Sequence, residues 1–206
     1  MLVNDKHLTT IWYDNAKDIV KIIDQRLLPF DLKIVELKTL EDFCFAIKEM
    51  QVRGAPLIGV TAAYGMYVAS KTTKNFSELE KAGDSLKSTR PTAVNLSWAV
   101  DKIITEIKDM EKSNLQEIIL SIANEIRDQD IINCKAIGEN GSKLIENIYK
   151  KTQKKVNVLT HCNAGWLAAV DWGTALAPIF IANQKKIPIH VWIDETRPRN
   201  QGFSLT

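Results

Sequence analysis

The chain has 206 residues, 45% of them hydrophobic, with 27 basic against 25 acidic side chains and a formal charge of +2. That is enough apolar material for a sizeable core in one or two globular domains. The near-neutral balance, without a basic stripe or interleaved surface aromatics, argues against nucleic acid as a partner. No stretch reaches the roughly 18 uninterrupted apolar residues of a membrane helix, and Met1–His7 has no apolar signal core, so a cytoplasmic, non-membrane protein is expected.

Thr10–Tyr13, Ile19–Ile23 and Lys33–Leu37 alternate or carry β-branched residues, and Asp14-Asn15 is a turn signal between the first two, so a small antiparallel sheet is expected. Thr39 is the expected cap of a helix over Leu40–Met50. The segment from Arg53-Gly54-Ala55-Pro56 to Ser70 is apolar all round and rich in small residues, which predicts a helix buried on every side. Phe76–Leu86 reads as a shorter amphipathic helix. Ser88-Thr89-Arg90-Pro91-Thr92 reads as a cap-and-proline opening to a helix over Ala93–Met110. Ser113-Asn114 is the start signal for a helix over Leu115–Ile137, which Gly138 and Gly141 should interrupt or bend before Ser142–Tyr149 resumes it. Lys150–Lys155 reads as a solvated basic turn.

At that point the character of the chain changes. Strand Val156–Thr160, helix Thr174–Gln184 and strand Ile187–Ile193 make a βαβ unit with a parallel sheet. The expected architecture is α/β: residues 1–150 form a small antiparallel sheet plus a helical domain, and 151–206 form the start of a Rossmann-like parallel domain. Two parallel strands and one crossover helix cannot cover both faces of such a sheet, so that second domain is expected to be incomplete in this chain.

The three cysteines, Cys44, Cys134 and Cys162, are odd in number, widely spaced and outside any Cys-x-x-Cys pattern. They predict neither a disulfide framework nor a zinc site, and they fit a reducing compartment. Cys162 follows a strand directly, at the carboxyl-end edge where open α/β sheets bind ligands. The Asn163-Ala164-Gly165 turn after it leads toward helical sequence whose amino-terminal amides would favour a thiolate. Strand position alone equally allows Cys162 to be a small buried hydrophobe. His161 is its neighbour, but adjacent residues at a strand end point apart, so a Cys–His couple is not expected. Asp194-Glu195-Thr196-Arg197-Pro198-Arg199-Asn200-Gln201-Gly202 follows the second parallel strand and occupies the same edge. Asp171 reads as a cap or local brace.

Only six arginines accompany 21 lysines, and Arg53, Arg90, Arg197 and Arg199 lie in these segments. A guanidinium fork binds phosphate or carboxylate as an ammonium cannot. Arg53-Gly54-Ala55-Pro56 sets a cation and a glycine before a helix start, where exposed amides and the dipole favour an anion. Arg90-Pro91-Thr92 repeats the arrangement. For both, a solvated arginine before an ordinary first-turn proline is the alternative.

Four blocks, Arg53-Gly-Ala-Pro-Leu-Ile-Gly, Arg90-Pro-Thr-Ala-Val-Asn-Leu, Thr160-His-Cys-Asn-Ala-Gly with Asp171-Trp-Gly-Thr-Ala-Leu, and Asp194-Glu-Thr-Arg-Pro-Arg-Asn-Gln-Gly, stand in an order and spacing that resembles the methylthioribose-1-phosphate isomerases of methionine salvage. The resemblance runs from Trp12-Tyr-Asp to Gln201-Gly. The superfamily also holds ribose-1,5-bisphosphate isomerase and the non-catalytic alpha, beta and delta subunits of the eukaryotic translation-initiation exchange factor. The full arginine block and His161-Cys162-Asn163 resemble the enzyme branch. The resemblance implies that Arg53, Gly54, Ala55, Arg90 and Gln201 bind the sugar phosphate and that Cys162 assists the transition state. It implies an aldose–ketose isomerisation without cofactor or metal, and a homodimer for the full-length family enzyme. Hydrogen moves from C2 to C1, through an enediol or as a hydride.

The family's aspartate proton donor and an Asn-Lys substrate pair lie beyond the Arg-Pro-Arg-x-Gln-Gly block, where this chain has no counterpart. The expectation is therefore an inactive amino-terminal fragment. The alternatives are a regulatory, non-catalytic member of the superfamily or a ribose-1,5-bisphosphate isomerase. If the chain is active, Asp194 and Glu195 are the first candidates for the acid.

Overall fold

The computed structural model describes residues 1–3, 5–108 and 114–206. Contacts group Ile11–Gln129 into one compact unit and Met1–Thr10 with Asp130–Thr206 into another. The division falls inside a long helix, upstream of the change in sequence character near residue 150.

In the Ile11–Gln129 unit, β3 (Ile11–Asp14), β4 (Ile19–Ile23) and β5 (Ile34–Leu37) form an antiparallel sheet in that order, with Ile11 opposite Ile22 and Val20 opposite Leu37. The preceding β1 (Leu2–Val3) and β2 (Lys6–His7) form a separate two-stranded hairpin that belongs to the other unit. α1 (Leu40–Lys48) starts at Thr39 with a full capping box: Thr39 Oγ1 accepts from the Asp42 amide and the Asp42 carboxylate accepts from the Thr39 amide. Those bonds satisfy orphan donors of the first turn.

α2 (Ala55–Ser70) is the buried axis of this unit, and every residue from Leu57 to Ser70 is buried. α3 (Phe76–Thr89) and α4 (Val94–Ile107) pack on it. The carbonyl oxygen of Asn95 lies 3.0 Å from where a Cβ on residue 59 would sit, and a Cβ on residue 83 would meet both Val100 of α4 and Met66 of α2. Both contact points advance together along the two helices, so α2 and α4 run parallel and their first turns share one end. Ser88 and Thr89 finish α3 rather than cap α4, which starts at Ala93 with no side-chain cap. The expected helix limits at Met110 and Ser113 fall outside the described residues.

α5 (Leu115–Thr152) is one continuous helix of 38 residues. Gly138 and Gly141 do not break it; α6 (Ala177–Gln184) lies against them. A Cβ at 138 would meet Ile181 Cδ1 at 2.8 Å and Ala177 Cβ at 3.0 Å, and one at 141 would meet Pro178 Cγ at 2.5 Å. The glycines answer a long-range demand for close approach that overrides their helix penalty.

β6 (Val156–His161) and β7 (Ile189–Asp194) pair in parallel, from Val156 opposite Ile189 to His161 opposite Asp194. Val156 joins Ile145, Ala182 and Ile187 in a buried cluster that Tyr149, Val158 and Ile189 flank. The other face, carrying Leu159, His161, His190 and Trp192, is exposed. The helix–sheet content and the parallel βαβ unit define an α/β protein. Among the described residues, no helix is long and apolar enough to cross a membrane.

Candidate active site

The Ile11–Gln129 unit carries an anion-binding end. Gly54 takes φ +88° as the residue before α2, a conformation that side chains rarely tolerate. No side chain caps α2, so its amino-terminal amides face outward with the positive end of the helix dipole. Arg53 precedes them, 8% exposed, with Nε donating to Met50 O at 3.3 Å.

The approach to this turn is pinned by a buried carboxylate. Asp24, 2% exposed, accepts from Arg26 Nε and Nη2 at 2.9 and 2.7 Å and from Gln51 Nε2 at 2.8 Å. The Gln25 amide donates to Gln51 O at 2.9 Å, and the Val52 amide to Ala46 O at 3.2 Å. Burial acts to raise the Asp24 pKa, but the bonds from Arg26 and Gln51 outweigh it and hold the group below its ordinary value. Sequence reading did not single out Asp24 or Gln51.

Arg90 ends α3, and its carbonyl accepts from the Ala93 amide at 2.9 Å. Its side chain is half-buried, and its guanidinium has no hydrogen-bond or ion-pair partner among the described residues. Because α2 and α4 run parallel, the Arg53-Gly54-Ala55 turn and the Arg90-Pro91-Thr92 segment lie at the same end of this unit. Two arginines and two uncapped helix starts make that end electropositive.

The other unit carries the thiol. Cys162 follows β6 directly, is exposed and sits in the left-handed region at φ +66°. Its carbonyl accepts from Thr206 Oγ1 at 3.0 Å. Cys134, by contrast, is buried, and burial, reinforced by the Asp130 carboxylate, pushes its thiol up to about 12. Burial also raises Cys44. Cys162 is thus the exposed thiol of the three, not a buried hydrophobe.

No α-helix follows Cys162 directly. Gly165 leads into a single 3-10 turn, Trp166–Ala168, and α6 starts only at Ala177, so the expected helix-dipole assistance to the thiol is absent. The physical reason lies in the segment between. Thr10 ties it down through Oγ1 to Ala169 O at 2.6 Å and through its amide to Val170 O at 3.0 Å, and the Val170 amide donates to Asp130 at 2.7 Å. Trp172 and Gly173 then both take positive φ. Asp171 is buried beside them, accepting from the Trp172 amide at 2.8 Å with His7 Nε2 2.8 Å away. It braces the turn.

Asp194 and Glu195 close the neighbouring strand. His161 Nδ1 is 3.5 Å from Asp194 Oδ2, so His161 faces that carboxylate. Glu195 accepts from the amides of Thr196, Gly202 and Phe203 at 2.7, 2.9 and 3.1 Å and organises the turn into α7 (Gln201–Leu205). Burial works to raise its pKa, yet these bonds, with Arg197 nearby, hold it low. A carboxylate kept ionised and fully engaged is poorly suited to donate a proton. Gln201 is half-buried in the first turn of α7, while Arg197 and Arg199 are exposed. Among the described residues, no group of three or more His, Cys, Asp or Glu side chains is gathered to hold a metal ion.

Four buried side-chain atoms at this edge make no hydrogen bond: Thr160 Oγ1, Asn163 Oδ1 and Nδ2, and Thr196 Oγ1. Their residues stood in the sequence blocks, but that they are unpaired is visible only in the fold.

Comparison with known proteins gives three results. The model of the Initiation factor 2 subunit family matches residues 51–206. Over the whole chain, the sequence is 48% identical to a methylthioribose-1-phosphate isomerase of Methylorubrum extorquens and 50% identical to one of Rhizobium meliloti, covering 56% and 57% of those proteins. Among solved structures, the chain is similar to 5-methylthioribose 1-phosphate isomerase from Pyrococcus horikoshii OT3, with TM-score 0.83, and to translation initiation factor eIF-2B, subunit delta, from A. fulgidus, with TM-score 0.81. Each is 36% identical; the matches cover 97% of this chain and 56% and 58% of those chains. The chain therefore spans little more than half the length of the curated relatives it matches.

Proposed function

The chain belongs to the Initiation factor 2 subunit family, and from that premise we propose that it serves an aldose–ketose isomerase converting 5-methylthioribose 1-phosphate to 5-methylthioribulose 1-phosphate. The observation that carries this reading is the likeness of the whole chain, at 48% and 50% identity, to enzymes named for that substrate. The exposed thiol at the carboxyl end of β6 supports it from the side of chemistry.

The conversion is redox-neutral: the bond from C1 to the ring oxygen breaks, the hydrogen on C2 moves to C1, which keeps its phosphate, and the C2 hydroxyl becomes the ketone as its proton passes to the former ring oxygen. It calls for an anion site and for groups that hold and return a proton. In this reading Arg53, the amides of the Gly54-Ala55 turn and Arg90 bind the phosphate, because a guanidinium and an uncapped helix start both favour it. Gln201 binds the sugar with a neutral side chain, and Cys162 takes part in the hydrogen transfer as acid or base. A homodimer and a cytoplasmic location belong to the same proposal.

A regulatory, non-catalytic role is the second reading, favoured by the solved structures, where the translation factor subunit and the isomerase are each 36% identical to this chain. The test is to follow 5-methylthioribose 1-phosphate by NMR with this chain joined to the remaining length of its relatives, with ribose 1,5-bisphosphate as the competing substrate. Appearance of the methylthio ketose supports the proposal. Selective conversion of the bisphosphate, or of neither sugar, overturns it.

A further inference from the structure

Native proteins pair nearly all of their buried polar atoms, so four unpaired ones on three residues at a single sheet edge call for an explanation. Thr160, 5% exposed, ends the inner face of β6. Asn163 and Thr196 each lie two residues beyond the last paired position of their strands, His161 opposite Asp194. Both therefore stand just past the paired ends of adjacent strands, and Asn163 is the residue next to Cys162.

The chemistry of the set is specific. Two hydroxyls and a carboxamide offer donors and acceptors without charge. The neighbouring carboxylates are already engaged, Asp194 opposite His161 and Glu195 on the amides of the α7 turn, and their negative charge disfavours phosphate at this place. A neutral group that both donates and accepts fits, and a sugar hydroxyl is such a group.

We infer that Thr160, Asn163 and Thr196 form a hydroxyl-binding subsite beside Cys162, taking the vicinal hydroxyls of a polyol chain. The inference rests on the proposed function and deepens it. Oriented hydroxyls at this edge would set the sugar carbons against the thiol, so the three are specificity-determining residues rather than groups that exchange the proton.

The physics of unpaired groups supplies the test. A polar atom already unpaired in the folded chain contributes nothing when removed, whereas one paired through hidden water contributes stability. Thr160→Val and Thr196→Val conserve shape, and Asn163→Ala removes the amide. Each variant of the full chain is melted, then titrated calorimetrically with 5-methylthioribose 1-phosphate and separately with inorganic phosphate. The inference expects an unchanged or higher Tm, a tenfold or greater loss of sugar-phosphate affinity and unchanged phosphate affinity. If the unaltered chain binds the sugar phosphate and the variants bind it equally well, the subsite is wrong and the proposed function stands. A lowered Tm in all three variants makes the groups structural and also overturns the subsite. If the unaltered chain binds the sugar phosphate no better than phosphate, the functional reading fails and the subsite with it.

Discussion

The Gln51 carboxamide donates to Asp24 Oδ2 at 2.8 Å across 27 residues of sequence, and with the Gln25–Gln51 backbone bond it fixes the strand-to-helix approach that presents Arg53. Asp24 acts on this turn through Gln51.

Asp24→Ala therefore leaves Arg26 and Gln51 without their acceptor and should cost about 2–3 kcal/mol of stability at neutral pH. The folded pKa of Asp24 lies below its ordinary value of 3.8. Its contribution is thus complete above that pH and is lost as the pH falls through the lower folded value. Urea midpoints of the two proteins should differ at pH 7 and converge in strong acid. A constant gap across that range would show that Asp24 stabilises by packing alone. Phosphate affinity should fall along with stability, and Asp24→Asn, which keeps an acceptor for Gln51, should recover part of it.

Gly141→Ala sets two local effects against each other. Alanine is favoured over glycine in a helix by about 1 kcal/mol, but its Cβ would stand 2.5 Å from Pro178 Cγ, in a ring that cannot rotate away. Overpacking of this kind costs about 1–3 kcal/mol, and we expect net destabilisation. A higher Tm for Gly141→Ala would contradict the packing of α6 on α5.

That position also shows where sequence reading stops. The periodic segments, β3 to β5, α1 with its Thr39 cap, the all-round apolar α2 and the parallel β6–β7 pair, were legible because local pattern and burial agree there. Gly138 and Gly141 read as breaks because their reason, the approach of α6, lies some 40 residues away. The two-residue strands of the β1–β2 hairpin offer too short a pattern to detect. The edge position of Cys162 was legible from the strand before it. The failure of a helix to follow depends on Thr10 and Asp130, which no local window contains. The unpaired atoms of Thr160, Asn163 and Thr196 and the Asp24–Gln51 bond are properties of packing alone.

Arg90→Ala should weaken binding of 5-methylthioribose 1-phosphate by about 100-fold, equivalent to the few kcal/mol typical of a charge-assisted phosphate contact. Because the guanidinium has no partner among the described residues, Tm should not move. Arg90→Lys should recover only part of the affinity, since an ammonium lacks the bidentate fork. Calorimetric titration measures both, and full affinity in Arg90→Ala would reduce the residue to the solvated arginine that its sequence context also allows.

The most direct test of the account is the conversion rate of 5-methylthioribose 1-phosphate by the intact protein and by its Cys162→Ser variant, read by NMR with Tm measured on both. Proton transfer by a positioned group contributes about 100- to 10,000-fold, and a serine hydroxyl is a far weaker acid than a thiol. With this chain joined to the remaining length of its relatives, the account predicts turnover by the unaltered protein and a loss of at least about 100-fold in the variant, with Tm unchanged because the Cys162 side chain is exposed. Turnover at the unaltered rate in Cys162→Ser would contradict it.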